Sequence, residues 1–575
     1  MNGSEEREVR GIARRGLTAY GDPGFSRFIR RAFSKGLGFG DETIDRPLVG
    51  VANTYSELNS CHMAIPSLVE AVKRGVLMAG GLPVEFPTIS LGEPFLHPTS
   101  MLLRNLMSID TEEMLRAQPL GGAVLIGGCD KTIPAQLMGA ISADIPALIV
   151  PTGPMAAGRF EGRDLGACTD CRRFWSEYRA GRRPPDEIDE LENVLVPGAG
   201  TCGVMGTAST MASISEALGM TLLGGAATPA TSAGRLRFAE WSGRAIVRMA
   251  VDGGPRPTDL VTPRSVDNAV RVAAAVGGST NAVIHLIAIA RRARVSLDVA
   301  RFDELSRATP LIAAIKPTGP YHMADLYESG GIPRVMERLS RILDLTALTA
   351  SGRTLGAELS AYPLGQWVDP NVIATADAPF AADSGFAALF GNLAPRGAIL
   401  KHHVASPSLL RHRGPAVVFS SLADLDARID AEGLSATADS VLVLQNAGPV
   451  GAPGMPEAGM LPIPRRLLAA GVSDMVRISD ARMSGTAFGT VILHVAPEAA
   501  VGGPLALVRN GDMIELDVIA RKLDLLVPEE ELAARRAAWT PPPPTYARGY
   551  RRLFVDHVLQ ADEGCDFDFL VPDRT

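Results

Sequence analysis

The feature that most constrains the fold is a strand, helix, strand pattern between residues 120 and 155. "AVLIG" and "PALIVPTG" are short apolar runs typical of buried strands. Between them, "TIPAQLMGAISA" predicts a helix with Pro134 in its first turn, where a backbone N–H has no helical partner to lose. Two buried strands joined by a helical crossover pair in parallel, so the pattern predicts a parallel sheet covered by helices.

Two further segments predict helices that flank such a sheet. "IPSLVEAVKRGVLMAGG" carries Leu68, Val72 and Val76 at four-residue intervals, begins with Pro66 and ends at the glycine pair 80–81. "GTASTMASISEALG" predicts a helix of mostly small residues that ends at Gly219. Together these patterns predict a large α/β domain over residues 1–375.

The pattern changes after residue 375. Short strand-like runs follow one another, among them "PAVVFSS", "SVLVLQNAG", "MVRISDA" and "TVILHVAP". "RNGD" predicts a hairpin turn, because Asn510 and Gly511 tolerate positive φ. We therefore expect residues 376–575 to form a smaller β-rich, barrel-like domain. Within it, "TPPPPTY" predicts a stiff link to a C-terminal tail.

Charge and composition limit the expected partners. The chain has 56 Lys and Arg against 63 Asp and Glu, so a small-molecule substrate is expected rather than nucleic acid or an anionic membrane. The apolar runs are far shorter than the ~20 residues that span a bilayer, and the first residues lack the apolar core of a secretory signal. Six scattered cysteines fit a reducing compartment better than a disulfide framework. We expect a cytoplasmic protein.

Three of the cysteines occupy joints between predicted elements. Cys61 and Cys202 each precede a predicted helix, and Cys129 follows the first strand of the crossover. Residues just past the carboxyl ends of parallel strands face the crevice where open sheets bind ligands, and a helix N-terminus favours a thiolate. Because the three are far apart in the chain, a local zinc knuckle is excluded. The residues alone leave both metal binding and simple burial open.

A series of motifs resembles one enzyme family. In chain order they are "NTYSELNSC", "SLGEP", "GGCDKTIPAQLMGA", "GTCGVMGTASTMASISEALG", "GGSTNAVIHL", "GAPGMPEAGMLPIP", "ISDARMSGTAFG" and "HVAPEAAVGGPLALVRNGD". As a set they are similar to the family of dihydroxy-acid dehydratase, phosphogluconate dehydratase and the sugar acid (aldonate) dehydratases. The resemblance implies a hydro-lyase that removes water from C2 and C3 of a hydroxylated acid and yields a 2-keto-3-deoxy acid. It also implies a homodimer or homotetramer.

The resemblance implies an iron–sulfur cluster. Cys61, Cys129 and Cys202 match the family's three cluster ligands, and the cluster of the sugar acid branch is of the [2Fe–2S] type. Three thiolates leave one iron without a fourth protein ligand. In the implied mechanism this iron takes the departing C3 oxygen as a Lewis acid.

The resemblance also implies a magnesium site next to the cluster. Glu93, Asp130, Lys131 and Glu457 match its ligands, and the lysine is carbamylated in family members. Carbamylation replaces an ammonium, which repels a cation, by an oxygen ligand that suits a hard ion. In the implied mechanism the ion spreads the negative charge that develops when C2 loses its proton.

Ser484 of "ARMSGT" matches the serine proposed as the family's base, and Thr486 beside it is a candidate substrate contact. A free serine hydroxyl is too weak a base at neutral pH, so this hypothesis requires nearby cations that lower its pKa. We expect the "GGSTN" segment at 277–281 to shape the backbone near the substrate or cluster. We expect His285 to be a core histidine.

Several positions distinguish branches within the family. Glu93 stands where dihydroxy-acid dehydratases of branched-chain amino acid synthesis have an aspartate, and "MPEAGMLPIP" is similar to the sugar acid branch, so a polyhydroxylated acid is favoured. His62 departs from the more usual Pro-Cys-Asn pattern, with an effect that stays open. Cys168 and Cys171 form a C-x-x-C motif. We expect it to lie in a loop beside the substrate pocket, and a redox or metal-binding pair is the alternative.

Three functions follow from these residues. A sugar acid dehydratase is the first, and a dihydroxy-acid dehydratase acting on branched aliphatic substrates is the second. The third is a noncatalytic iron–sulfur or zinc protein that senses redox state through the three cysteines. Glu93 and Glu457 argue against the third, because a sensor needs no magnesium carboxylates. Cys565, in the tail, is expected to be buried.

Overall fold

The computed structural model describes residues 20–543 and 545–571, so most of the segment behind the secretory-signal prediction lies outside them. The helices are α1 (Pro23–Gly36), α2 (Asp41–Ile44), α3 (Ile65–Met78), α4 (Arg104–Ala117), α5 (Thr132–Ala143), α6 (Ala167–Arg179), α7 (Pro185–Leu195), α8 (Thr207–Ala217), α9 (Ala233–Asp252), α10 (Pro257–Leu260), α11 (Pro263–Ala275), α12 (Asn281–Arg292), α13 (Val299–Arg307), α14 (Met323–Glu328), α15 (Gly331–Arg338), α16 (Leu355–Ala361), α17 (Leu422–Arg428), α18 (Arg465–Ala469), α19 (Glu529–Ala538) and α20 (Gly549–His557). Within the described ranges, no helix has the length and apolarity needed to cross a bilayer.

The strands are β1 (Leu48–Asn53), β2 (Leu82–Pro87), β3 (Gly122–Gly127), β4 (Ala147–Pro151), β5 (Gly158–Phe160), β6 (Arg163–Leu165), β7 (Phe386–Leu389), β8 (Ala398–Lys401), β9 (Arg411–Phe419), β10 (Val441–Leu444), β11 (Arg477–Ser479), β12 (Val491–Leu493), β13 (Met513–Asp517) and β14 (Lys522–Leu525).

The N-terminal part is an α/β layer built on a four-stranded parallel sheet of order β2-β1-β3-β4. The strands β3 and β4 joined by α5 are the predicted crossover, and α3 and α8 are the other two predicted helices. All five predicted elements are confirmed. Strands β3 and β4 are buried along their whole length, as a sheet covered on both faces requires.

The C-terminal part is an eight-stranded sheet of order β14-β13-β9-β10-β11-β12-β8-β7. Its central strands β9 to β12 are parallel and its outer strands antiparallel. The residue after β7, Phe390, bridges to Lys522 in β14, which brings the two edges together. The predicted barrel-like domain is confirmed, while the boundary at residues 375 and 376 stays a prediction.

The hairpin predicted at "RNGD" is wrong. The residues before it, Pro504–Leu507, form a 3-10 turn, so no strand precedes the turn locally. Strand β13 pairs instead with β9 and β14. Gly511 does have the positive φ that the motif indicates, 87°, and its N–H donates to the carbonyl of Ala416. The turn signal was correct, but the partner strand lies about 100 residues earlier in the chain.

The C-terminal tail packs back on the α/β part. Arg104 of α4 is buried and donates to the carbonyls of Gly564 and Cys565, at 2.9 and 2.8 Å. Arg292, at the end of α12, forms a two-point ion pair with Asp566, and neither side chain is exposed. Cys565 is 1% exposed, so its predicted burial is confirmed. The tail is thus held by buried polar contacts within the same chain.

Asp566→Asn is expected to lower the free energy of unfolding by about 3 kcal/mol, because it leaves the buried Arg292 guanidinium with only the more distant Glu112, at 3.6 Å, as a counter-charge. A urea titration followed by far-UV circular dichroism measures this as a lower midpoint. Asp568→Asn is the matched control, since Asp568 is exposed and contacts His557 at the surface, where an ion pair contributes ~1 kcal/mol or less. Equal midpoints for the two variants would contradict the assignment.

Lys401, at the end of β8, gives stability a predictable pH dependence. Its buried Nζ donates to the carbonyl of Gly277, and burial lowers its pKa from 10.5 to about 7. Between these values the unfolded chain holds a proton that the folded protein lacks, so the stability contributed here rises with pH and is lost as pH falls from 10.5 to about 7. Lys401→Met is expected to reduce the rise in urea midpoint between about pH 7 and pH 9.

Lys522→Met is the control for this measurement. Lys522 is about half exposed, and its hydrogen bond to Asp524 raises its pKa, so it stays protonated in both states across the same window. A pH dependence in Lys401→Met as large as that of the wild type would show that another group titrates.

Candidate active site

The structure brings the three predicted cluster cysteines together, and we call them the thiol site (Cys61, Cys129 and Cys202). Strands β1 and β3 are parallel neighbours, so the turns after them, which carry Cys61 and Cys129, meet at the carboxyl edge of the sheet. The two thiols are hydrogen-bonded, and Cys202, before α8, interacts electrostatically with Cys61. All the cysteines of the chain are free thiols.

The chemistry of the thiol site fits an iron–sulfur cluster. The hydrogen bond from Cys129, together with burial, holds the pKa of the Cys61 thiol well above its usual value. A neighbouring thiol and burial do the same for the pKa of Cys202. Closely packed sulfurs become thiolates together only when a cation offsets their repulsion, and a bound metal deprotonates its thiol ligands. The three side chains are therefore a donor set that suits iron.

His62 holds the loop that carries Cys129. Its Nδ1 lies 2.7 Å from the carbonyl of Thr54, to which it donates, and its Nε2 accepts the backbone N–H groups of Gly128 and Cys129, each at 3.2 Å. Burial lowers the pKa of His62 to about 4, so the ring is neutral and Nε2 keeps its lone pair. His62, whose effect was open from the sequence, thus supports the backbone of Cys129, a predicted cluster ligand.

The predicted magnesium ligands also converge, and we call them the carboxylate site (Glu93, Asp130, Lys131 and Glu457). Lys131 is completely buried, and its Nζ lies 3.5 Å from Glu93, 3.6 Å from Asp130 and 3.4 Å from Glu457. Glu93 opens a 3-10 turn after β2, Lys131 caps α5, and Glu457 comes from the loop after β10. Three carboxylates from separate elements thus surround one cation, a donor set that suits a hard divalent ion.

The charges of the carboxylate site strongly shift one another's pKa values. Burial alone would raise the pKa of Glu93, but the charges of Lys131 and Arg482 outweigh it and lower that pKa to about 2. Burial raises the pKa of Asp130, with Glu457 and Glu93 adding to the effect against the charge of Lys131. Glu93 is therefore ionised at neutral pH, and the site has a strong demand for positive charge.

Two further residues contact Glu457, and the sequence did not predict these contacts. Arg482 is completely buried and donates to Glu457 at 3.1 Å and to the carbonyl of Met455 at 2.7 Å. Asn281, at the end of "GGSTN", donates to Glu457 at 3.0 Å and to the hydroxyl of Thr207 at 3.0 Å. The sequence signal that could have indicated them is their position inside two of the family motifs, where Arg482 stands only two positions before Ser484. His285 is buried and contacts Arg104, as expected of a core histidine.

The loop with Ser484 lies against the start of α8. Ser484 Oγ is 2.9 Å from Thr486 Oγ1. A Cβ atom added at Gly485 would come within 2.4 Å of the Ser279 hydroxyl and 2.9 Å of the Thr207 backbone nitrogen. A Cβ atom added at Gly206 would lie 3.1 Å from the methyl group of Thr486. The loop is thus closely packed between "GGSTN" and the turn that follows Cys202. The roles of Ser484 and Thr486 stay predictions.

The C-x-x-C segment is a helix and not the loop that we expected. Cys168 and Cys171 lie in the first two turns of α6, because the run that follows them is amphipathic. Cys171 Sγ donates to the carbonyl of Cys168 at 3.2 Å, whereas Cys168 Sγ lies 2.8 Å from Cys202 Sγ. The two cysteines therefore do not pair with each other. A cavity of about 510 Å³ separates α6 from the barrel, with Met460 and Phe488 on its far wall.

Known proteins resemble this chain over nearly its whole length. Residues 46–358 match the dihydroxy-acid/6-phosphogluconate dehydratase N-terminal model, and residues 371–565 match the C-terminal one. The chain is 48% identical to an L-arabonate dehydratase of Azospirillum brasilense, which covers 95% of each chain. It is 47% identical to a 6-deoxy-6-sulfo-D-gluconate dehydratase of Pseudomonas putida, over 92% of this chain and 91% of the relative. A dihydroxy-acid dehydratase of Moorella thermoacetica is 41% identical, over 94% and 98%.

Proposed function

The chain belongs to the dihydroxy-acid/6-phosphogluconate dehydratase family, and from that premise we propose that it dehydrates sugar acids. The reaction removes water from C2 and C3 of an aldonate and releases a 2-keto-3-deoxy acid. The observation that carries this proposal is the placement of the two donor sets. Three carboxylates surround Lys131, two residues from Cys129, a member of the thiol site.

The two donor sets define the cofactors that we propose. The thiol site would hold a [2Fe–2S] cluster, and the carboxylate site, with Lys131 as its carbamate, would hold Mg²⁺. When bound, the cluster supplies a Lewis acid for the C3 hydroxyl, and magnesium supplies positive charge for the substrate carboxylate and the C2 hydroxyl.

The chain's own residues then have distinct tasks. Ser484 Oγ takes the C2 proton, and Thr486, hydrogen-bonded to it, orients the hydroxyl toward the substrate. Arg482 and Asn281 both donate to Glu457 and so fix the direction of that carboxylate. The positive charge of the occupied site lowers the pKa of the serine, without which its hydroxyl is not a base at neutral pH. The enol that leaves the site tautomerises to the keto acid.

The choice of substrate class rests on similarity to known dehydratases. The sugar acid relatives named above share 48% and 47% identity with this chain. The second candidate, dehydration of 2,3-dihydroxyisovalerate, is favoured by the 41% identity to a dihydroxy-acid dehydratase.

A substrate panel tests the choice between these two. The protein is purified without oxygen, supplied with Mg²⁺, and assayed for 2-keto acid formed from five- and six-carbon aldonates and from 2,3-dihydroxyisovalerate. We expect kcat/KM to be higher for at least one aldonate than for the branched acid, by about 10-fold or more if one substrate hydroxyl is specifically bound. Turnover of the branched acid alone would contradict the proposed substrate class.

A further inference from the structure

Four thiols, and not three, meet at the thiol site. Cys168 Sγ lies 2.8 Å from Cys202 Sγ, and Cys168 also interacts electrostatically with Cys61. Cys61 is in turn hydrogen-bonded to Cys129. The sulfurs therefore form two neighbouring pairs, Cys61 with Cys129 and Cys168 with Cys202. None of the motifs behind the family resemblance includes Cys168.

Cys168 is held in this position by contacts at the start of α6. The Asp170 carboxylate accepts the N–H of Gly166 at 2.7 Å and the Lys316 ammonium at 3.0 Å. The carbonyl of Lys316 accepts the N–H of Met205, in the turn that follows Cys202. A side chain at Gly166 would come within 2.3 Å of Val204. The start of α6 and the Cys202 turn are thus packed and hydrogen-bonded as one unit.

Two pairs of thiols match the ligand requirement of a two-iron cluster. Each iron of a [2Fe–2S] centre takes two protein ligands, for a total of four. If Cys61 and Cys129 hold one iron, Cys202 alone leaves the other iron with a single protein ligand. Two thiolates on one tetrahedral metal lie about 3.7 Å apart when each bond is ~2.3 Å. The pair of Cys168 and Cys202 would have to open by roughly 1 Å, a small side-chain adjustment.

We propose that Cys168 is a fourth thiolate ligand of the cluster in the substrate-free protein, on the same iron as Cys202, and that substrate displaces it. The inference rests on the proposed function, because it requires the cluster. The exchange involves no oxidation. The Cys168 thiol gives its proton to solvent when it binds, and it takes one up again when the C3 hydroxyl of the substrate replaces it. The arrangement closes the exposed iron between turnovers and leaves it available to substrate.

The test uses the cluster-loaded, substrate-free protein and compares Cys168→Ala with wild type. Mössbauer spectra of ⁵⁷Fe-labelled protein are expected to show two similar four-sulfur irons in the wild type and one altered iron in the variant. Addition of L-arabinonate is expected to convert the wild-type spectrum toward that of the variant. In air, the visible bands of the variant are expected to decay about 10-fold faster, since even groups behind a metal ligand change metal affinity by ~10–100-fold.

Cys171→Ala is the matched control, because Cys171 lies on the same helix with its thiol on the carbonyl of Cys168. It is expected to leave the Mössbauer spectrum and the decay rate as in wild type. Cys168→Ser keeps the volume of the side chain, and it is expected to shift the visible bands if Cys168→Ala does not fold. Identical spectra for wild type and both Cys168 variants would overturn the inference. A wild type that binds no cluster would instead refute the proposed function.

Discussion

Ser484→Ala is expected to lower kcat by about 10²–10⁴-fold, the range that a positioned proton-transfer group contributes, while the visible spectrum of the cluster stays unchanged. Ser484 Oγ contacts Thr486 Oγ1 at 2.9 Å, and the loop is packed against the start of α8 at Gly485. Alanine removes the oxygen that takes the C2 proton in the proposed mechanism, and it changes little else. Anaerobic assays of keto acid formation, with spectra of the same samples, measure both quantities.

Two further variants separate a base from a packing residue. Thr486→Val removes the hydroxyl partner of Ser484, and we expect a smaller loss of kcat, about 10-fold, the value of one hydrogen bond of ~1.5 kcal/mol. Ser360→Ala changes an exposed serine of α16 and is expected to leave kcat as in wild type. If Ser484→Ala keeps wild-type turnover, Ser484 is not the base. If it loses the cluster spectrum, its role is structural.

Lys131→Met is expected to abolish turnover: kcat should fall by at least about 10³-fold, and added Mg²⁺ should no longer change the rate. The reason is that magnesium binding and stabilisation of the negative charge at C2 depend on the same site. Methionine keeps the length of a side chain that is completely buried among three carboxylates, but it can carry neither an ammonium nor a carbamate. Turnover against Mg²⁺ concentration measures the effect. A carbamyl signal in ¹³C spectra of protein equilibrated with labelled bicarbonate is expected in wild type and is expected to be absent from Lys131→Met.

The control for this variant is Lys73→Met. Lys73 also lies between two carboxylates, Glu70 and Glu85, but at the surface, where removal of an ion pair changes stability by ~1 kcal/mol or less. It is expected to keep wild-type turnover, magnesium response and carbamyl signal. A Lys131→Met protein that still requires Mg²⁺ for turnover would show that the ion binds elsewhere.

The sequence predicted the parts of the site that depend on local elements. Cys61, Cys129 and Cys202 were placed at the joints of strands and helices, and they meet because β1 and β3 are parallel neighbours whose carboxyl ends share one edge. Helix α5 was predicted to its ends and the two strands of its crossover within about two residues, because short buried strands and a proline in the first turn are strong local signals.

Contacts between distant segments were not predicted. Asn281 reaches Glu457 across 176 residues, and no local pattern records which carboxylate a buried amide will contact. The same applies to Cys168, whose neighbour Cys202 comes from another element, and whose three-residue spacing to Cys171 suggested the wrong pair. At "RNGD" the turn was predicted correctly, but β13 pairs with β9 and not with the segment just before the turn. In each case tertiary packing decided what the local sequence left open.

The most direct test of the account is anaerobic conversion of L-arabinonate, followed by ¹³C NMR with and without Mg²⁺ on protein of known iron content. The account predicts loss of the C3 hydroxyl carbon signal and growth of a 3-deoxy carbon and a keto carbon, only when both iron and magnesium are present. L-arabinonate is chosen because a protein named L-arabinonate dehydratase is 45% identical to this chain over 96% of its length. Unchanged substrate with fully loaded protein, across the aldonates of the panel, would contradict the account.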